Sequence, residues 1–443
     1  MINRMSFFQD LLTSVFNRDA ADDLDFDGRT LEQLCDALLS ERGEVSGNRT
    51  ANQILIRFSQ ASDDEQLAFF HMLVKRFDID TLKVQSAANS LNENNTAENL
   101  GFLLNSVEPK RQELFRRLNR IPGATGMLVN MRTSLLVHMK THRDLARIDI
   151  DFQKLFRAWF NRGFLVLREI DWQTPANILE KLIEYEAVHA INSWDALRRR
   201  LAPGDRKCFA FFHPAMLDEP LIFVEVALTK SAPDSIRAIL SETRDIIRTE
   251  SADTAVFYSI SNCQSGLAGV SFGNFLIKQV AQELSNQLGN LEYFRTLSPV
   301  PGFMRWVDRS ISVTEDDELA GRLEIVKRIA TGDIKNPNEE EADILQIIAG
   351  RYLVLEKRKD RQPLDPVARF HLGNGAQLDR ILPRADLYKT GLAQSAGVMV
   401  SYLYDLDKVI ENHEGYATNR TVVCSDQVAH LSGEKKRFMR RSG

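Results

Sequence analysis

Residues Thr254–Leu288 read as three elements in direct succession. TAVFYSIS is a strand-like apolar run, QSGLAGVSFGNF is a glycine-rich loop, and FLIKQVAQELSNQL has helical periodicity. A strand that feeds a helix through such a loop needs sheet partners on its edges and a helix over its face. That excludes an all-helical chain and an all-β one. The loop contains the string Gly269-Val270-Ser271-Phe272-Gly273, the G-x-S-x-G of a serine-hydrolase nucleophile elbow. An elbow sets its serine directly after the strand. Here the apolar residues end near Ser261, and the segment NCQSGLA intervenes, so Ser271 belongs to the first turn of the helix instead. Anion binding suits the loop better. Gly266, Ala268, Gly269 and Gly273 let backbone approach a ligand, and a helix N-terminus offers unpaired N–H groups. The spacing is not the G-x-G-x-x-G of a dinucleotide site.

Before this unit the chain falls into two textures. Residues 1–160 read as helices only. Ser62-Asp63-Asp64-Glu65 is a capping box, and Leu67, Phe70, Leu73, Val74 and Phe77 follow at helical spacing. Similar stripes run through ENLGFLLNSV and RQELFRRLNRI, which points to a helical bundle for packing or self-association. From residue 161 strands enter. FLVL follows Gly163, and Pro175 opens a helix over ANILEKLIEYEAVHAI. Ser193 caps SWDALRRRL, and strands KCFAFFH and PLIFVEVALT flank a turn at PAMLDE. EYFRTLSPV and VMVSYLYDL read as later strands, with a helical insertion at about 310–360 between them. DPVARFHLGNGAQLDRIL has an Asp-Pro helix start. The fold class is therefore α+β: an all-helical N-terminal bundle, 1–160, then a mixed-sheet domain, 161–443, interrupted by helices.

Bulk properties narrow the function. The chain has 443 residues, with 56 basic against 61 acidic and a formal net charge of -5, so nothing argues for nucleic acid. The basic tail GEKKRFMRR reads as solvated. No apolar run approaches the ~18 residues of a membrane span. The first 18 residues lack the apolar run and cleavage site of a signal peptide. Cys35, Cys208, Cys263 and Cys424 are scattered. A reducing, cytoplasmic setting without disulfides is the expectation. Glu186-Ala-Val-His189 is half of a di-iron motif without its second copy, so His189 is read as structural. His213 is read as a strand-end hydrogen-bonder, and Cys208 points to the opposite face of its strand. Cys263 is a small loop residue.

The strand–loop–helix unit is similar to the acyl-CoA site of GCN5-related N-acetyltransferases. Gly266 and Ala268 match that loop, while Cys263 stands where glutamine or arginine is usual. FAFFHPAMLDEPLIFVEVAL, AVFYSISNCQSGLAGVSFGNFLIK, LSPVPGF and PVARFHLGNGA together resemble the malonyl-CoA decarboxylase family over roughly residues 160–405. The resemblance implies a GCN5-related N-acetyltransferase-like catalytic sheet and decarboxylation of malonyl-CoA to acetyl-CoA and CO₂. It also implies a homodimer or homotetramer formed through the helical domain. It places the catalytic serine at Ser298, the catalytic histidine at His371 and a site tyrosine at Tyr404. The acyl-CoA loop falls on Ala268, Gly269, Val270, Ser271, Phe272, Gly273 and Asn274. Some relatives carry glutamate at the place of Ser271.

The chemistry needs no metal or organic cofactor in principle, because the thioester carbonyl can hold the enolate charge left when CO₂ departs. It needs donors for that oxygen, for which backbone N–H groups at the end of TAVFYSIS are candidates, and a proton for C2. A histidine of ordinary pKa, about 6.5, can supply one near neutrality, which selects His371. Ser298 then binds the malonyl carboxylate or orients His371. Two rival functions remain at this point: a CoA-dependent acyltransferase, and a non-enzymatic acyl-CoA-binding regulator.

Overall fold

The computed structural model describes residues 28–40, 44–270 and 276–433. The N-terminal stretch through Arg18, the loop residues Ser271, Phe272, Gly273 and Asn274, and the basic tail from Glu434 lie outside them. The chain divides into two compact units. The first holds the residues up to Leu165 with the short segments 213–217 and 264–270; the second holds the rest.

The first unit is helical: α1 (Leu31–Ser40), α2 (Glu44–Gln60), α3 (Asp63–Arg76), α4 (Thr81–Glu93), α5 (Ala97–Ser106), α6 (Lys110–Leu118), α7 (Ala124–His138) and α8 (Ala146–Trp159). The capping box forms as the sequence predicts: Ser62 Oγ accepts from Glu65 N–H while the Glu65 carboxylate accepts from Ser62 N–H. Phe70, Leu73 and Phe77 from that stripe are buried, with Phe58 and Phe69 tilted against them. The stripe in ENLGFLLNSV behaves differently. On α5 only Ser106 is buried, and Leu100, Phe102 and Leu104 stay 40–60% exposed. Helical periodicity marks an apolar face; it does not say what covers it.

The second unit is a mixed eight-stranded sheet flanked by helices. Its elements run β1 (Val166–Ile170), α9 (Ala176–Tyr185), α10 (Trp194–Leu201), β2 (Arg206–His213), β3 (Met216–Thr229), α11 (Ile236–Leu240), β4 (Thr254–Asn262), α12 (Leu276–Gln287), β5 (Tyr293–Thr296) and β6 (Ser298–Pro299). They continue with α13 (Phe303–Ile311), α14 (Asp317–Thr331), α15 (Glu339–Val354), α16 (Pro366–Gly373), β7 (Gln377–Leu382), α17 (Lys389–Ser395), β8 (Met399–Leu403), α18 (Val409–Asn419) and α19 (Asp426–Ser432). The strand order is β1-β2-β3-β4-β5-β8-β6, with β7 also paired to β8. α14 and α15 form the helical insertion.

Two local expectations need correction. The helix after Pro175 ends at Tyr185, before Glu186-Ala-Val-His189. The Glu186 carboxylate turns back to accept the N–H groups of Val188 (2.8 Å) and His189 (2.7 Å), taking donors that a longer helix would need. Most of PAMLDE is strand, since β3 starts at Met216. QLDRIL, to which the sequence assigns no element, is strand β7.

One pairing shapes the site. β4 and β5 are parallel neighbours, in register only from Thr254↔Tyr293 to Phe257↔Thr296. Beyond Phe257 the chain entering β6 turns to β8, where Ser298 pairs with Val400. Tyr258–Asn262 therefore face a gap on that side while keeping β3 on the other.

Candidate active site

The gap between β4 and β6 opens into a cavity of about 230 Å³, lined by Phe257, Tyr258, Ile260 and Asn262 from β4, by Leu297, Ser298 and Pro299, and by Pro366, Val367, Phe370 and His371 of α16. Its walls are apolar apart from a few polar groups, of which two converge. Ser298 Oγ lies 3.0 Å from His371 Nε2. On the far side of the ring, His371 Nδ1 lies 2.9 Å from the Tyr404 hydroxyl. Ser298, His371 and Tyr404 are 5%, 2% and 1% exposed. The structure thus brings these three expected site residues together from β6, α16 and the end of β8.

Hydrogen-bond bookkeeping assigns the protons. Thr296 Oγ1 accepts from Tyr402 N–H at 3.1 Å and from the Ser298 hydroxyl at 2.9 Å. With its one proton so used, Ser298 Oγ can only accept from His371, so Nε2 carries the hydrogen. Nδ1 is then the acceptor for the Tyr404 O–H. Tyr402 stacks on the imidazole at 4.4 Å and 24°, and Tyr404 meets it edge-on. The ring is fixed in position and tautomer before any ligand arrives.

Burial also changes its acidity. His371 does not keep the ordinary histidine pKa expected from sequence; desolvation lowers it to about 3, with no anionic group beside it to compensate. The imidazole is neutral in the ligand-free protein. Burial pushes the Tyr404 phenol well above its usual value, so it stays a neutral donor.

The described part of the glycine loop belongs to the first unit. Ser265–Leu267 form a 3₁₀ turn against α7. Arg132, itself paired with Asp149, donates to the Gly266 carbonyl at 2.7 Å. A Cβ on Gly266 would overlap the Val129 carbonyl. Gly266 is therefore glycine because helix backbone packs on it, which is a different close approach from the ligand contact anticipated. Gly269 has φ +75° with open space around its Cα. Ala268 is exposed and Val270 buried. Ser271–Asn274 lie outside the described residues.

Three comparisons with known proteins bear on this geometry. The sequence models of the malonyl-CoA decarboxylase N-terminal and C-terminal domains match residues 77–160 and 163–441. The chain is 34% identical to the mitochondrial malonyl-CoA decarboxylase of Anser anser anser over 351 residues, which is 73% of this chain and 69% of that one. The corresponding protein of Rattus norvegicus is 33% identical over 74% of this chain and 72% of its own length. The crystal structure of malonyl-CoA decarboxylase from Rhodopseudomonas palustris superposes with a TM-score of 0.84 at 47% identity, covering 90% of this chain and 98% of that one. The Agrobacterium vitis structure gives 0.83 at 47%, covering 91% and 100%.

The chain belongs to the malonyl-CoA decarboxylase family.

That makes it a carboxy-lyase. Among its described residues no helix is long and apolar enough to cross a membrane. The competing motifs have structural explanations within this malonyl-CoA decarboxylase fold. Glu186 accepts from Ser259 Oγ at 2.7 Å as well as from its two backbone donors, and Arg200 bonds the His189 carbonyl. His213 bonds the Trp159 carbonyl at 3.0 Å and accepts from Ala215 N–H. Cys208 and Cys263 are buried, with desolvated thiols pushed well up from their usual acidity. Among the described residues no three or more His, Cys, Asp and Glu side chains come together as a metal set.

The structure also adds a residue to the site's support. Asp365, fully buried, caps α16 by accepting from Ala368 N–H at 2.9 Å, and it takes the Gly302 N–H as well. One carboxylate thus joins the LSPVPGF segment to the helix that carries His371. Desolvation raises its pKa to about 6, against the pull of those backbone donors.

Proposed function

We propose that this protein converts malonyl-CoA to acetyl-CoA and CO₂ with no metal or organic cofactor, His371 protonating C2 and Ser298 and Tyr404 holding its ring. The observation that carries the proposal is the buried Ser298–His371–Tyr404 line at one wall of the cavity between β4 and β6.

A neutral imidazole in an apolar cavity is prepared for an anionic substrate. The malonyl carboxylate brings a negative charge beside His371, which favours the imidazolium, so substrate binding draws one proton from solvent. Taking the carboxylate out of water favours loss of CO₂, because the charge then spreads onto the thioester as an enolate. Backbone N–H groups of Tyr258–Asn262, beyond the end of the β4–β5 register, are the donors for the enolate oxygen. C2 takes the proton from His371, and the ring returns to its neutral form. Charge balances: one carboxylate and one proton become CO₂ and a neutral acetyl thioester. Tyr404 serves both states, donating to Nδ1 when the ring is neutral and accepting from Nδ1–H when it is charged. Ser298 keeps Nε2 directed into the cavity. The loop from Ala268 through Asn274 takes the CoA pyrophosphate on backbone N–H groups.

The helical unit carries self-association into a homodimer or homotetramer; exposed Leu82, Leu100, Phe102 and Leu104 supply the apolar surface for it. The buried thiols of Cys35, Cys208 and Cys263 suit a reducing, cytoplasmic compartment.

Incubation of the purified protein with malonyl-CoA alone tests the function. Stoichiometric acetyl-CoA and CO₂, unchanged by a chelator, is the expected result. Product that forms only after an amine acceptor is added would assign acyl transfer instead.

A further inference from the structure

β4 is irregular at the place where the enolate donors stand. It pairs with β5 only up to Phe257. On its other edge Ser259 faces Glu225 and Phe257 faces Val226, so Tyr258 is an extra residue, a bulge in the β3–β4 ladder. The strand thus loses one neighbour and its regular spacing against the other at the same point.

Alternation along the strand gives the N–H directions. Cys263 N–H bonds the Leu221 carbonyl of β3 at 2.9 Å. The N–H groups of Ser261 and Ser259 face that same edge, and those of Ile260 and Asn262 face the gap. Ile260 and Asn262 both line the cavity between β4 and β6. Their N–H groups are the ones directed at an enolate oxygen formed there.

A side chain from outside the sheet holds this stretch. The Glu186 carboxylate accepts from the Ser259 hydroxyl at 2.7 Å and from the Ser261 hydroxyl at 3.3 Å. The two serines are two residues apart, so their side chains share one face of β4 and bracket Ile260. Ala187 N–H adds a bond to Ser261 Oγ at 3.4 Å, and the His189 ring adds one to the Tyr258 backbone. The same short segment between α9 and α10 is fastened to β3. Arg200 donates to the carboxylate of Glu225, opposite Ser259, at 2.9 Å and to the His189 carbonyl at 2.7 Å. Glu186 is 8% exposed and Ser259 and Ser261 1% each; they stand behind the cavity lining rather than in it.

Building on the decarboxylase reading, we infer that Glu186 is a positioning residue of the reaction: by gripping Ser259 and Ser261 it sets the direction in which the Ile260 and Asn262 N–H groups meet the enolate oxygen. It does not touch the substrate. The thioester oxygen gains its full charge only as CO₂ leaves, so the effect falls on kcat rather than on ground-state binding.

Three variants of the full chain separate this role from packing. Glu186→Ala removes the grip, and with it the acceptor for Val188 and His189 N–H. Ser259→Ala combined with Ser261→Ala leaves that turn intact and removes only the grip on β4. Glu186→Gln keeps a hydrogen-bonding group against both serines. The measurements are kcat and KM for malonyl-CoA and Kd for acetyl-CoA, on protein with wild-type circular dichroism. The alanine variant and the double serine variant should each lose about tenfold or more in kcat, with KM and Kd within about threefold of wild type. Glu186→Gln should restore kcat to within about threefold. Adding the serine pair to Glu186→Ala should cost little more than Glu186→Ala alone, because all act through one contact. If Glu186→Ala does not fold, the double serine variant decides. A folded double serine variant with kcat within about twofold of wild type overturns the inference, as does a loss carried by KM and the acetyl-CoA Kd instead of kcat. In both cases the decarboxylase reading stands; it falls, and the inference with it, only if the wild-type protein does not turn over malonyl-CoA.

Discussion

The Ser298 hydroxyl and the His371 imidazole meet at 3.0 Å across 73 residues of chain. Because Ser298 spends its only proton on Thr296, the contact fixes which ring nitrogen carries hydrogen. Removing either partner breaks the same line. His371→Ala and Ser298→Ala should each lower kcat by about 100-fold or more, and the double variant should be little worse than the more damaging single one. CO₂ release by variants with wild-type circular dichroism measures this. Near wild-type turnover by either would remove that residue from the reaction.

Tyr404→Phe keeps the ring stacking and deletes one hydroxyl. His371 Nδ1 then has no donor in a dry site, and the imidazolium formed on substrate binding loses its acceptor. About a tenfold fall in kcat is expected, with a loss of about 1–3 kcal/mol in stability from the unmet buried group. A variant that loses stability but keeps full kcat would make Tyr404 a packing residue only.

The pH dependence of stability follows from the direction of each shift. His371 has its folded pKa lowered to about 3, so below about pH 6.5 the unfolded chain binds a proton that the folded one refuses. Its burial therefore costs stability increasingly as pH falls from about 6.5, by up to about 1.4 kcal/mol per pH unit. Asp365 acts in the opposite sense: raised to about 6, it favours the fold when protonated, and that contribution is lost as pH rises through about 6. The His371 contribution is isolated by difference. Relative to wild type, His371→Asn should gain stability steadily between pH 6.5 and 4 in urea titrations. A pH-independent difference would mean that the imidazole is solvated.

Much of this was legible in the sequence, and the reason differs by element. Strand runs such as PLIFVEVALT are buried on both faces, so composition alone marked them. The capping box at Ser62 and the Asp-Pro start of α16 were readable because they are local hydrogen-bond patterns. The glycines of QSGLAGVSFGNF announced a close approach but not its partner, since the helix that packs on Gly266 lies far away in sequence. His371 was found through the motif around it, yet its lowered pKa arises from Tyr402, Tyr404 and the sheet closing over it. No local pattern encodes that. Asp365 could have been suspected from its place before Pro366; its link to Gly302 could not.

Asp365 is expected to be a positioning residue. Asp365→Asn keeps an oxygen to cap Ala368 N–H and should hold both stability and kcat within a few-fold. Asp365→Ala removes the cap, worth about 0.5–2 kcal/mol, and also releases Gly302 from α16. Turnover should then fall at least about tenfold at unchanged KM, because His371 loses its register with Ser298 rather than the substrate losing contacts. A fall in stability at constant kcat would reduce Asp365 to a helix cap.

Gly266 and Gly269 separate the two uses of glycine in the loop. A methyl on Gly266 would overlap the Val129 carbonyl and Thr133 Oγ1, so Gly266→Ala must displace the turn from α7 and disturb the Arg132 bond to its carbonyl. Several kcal/mol of destabilisation follows if helix and turn cannot separate cheaply. At Gly269 there is open space, and alanine meets only the left-handed backbone cost of about 1–2 kcal/mol. Thermal unfolding of the two variants should therefore rank Gly266→Ala well below Gly269→Ala. The reverse order would mean that the turn does not rest on α7 in solution.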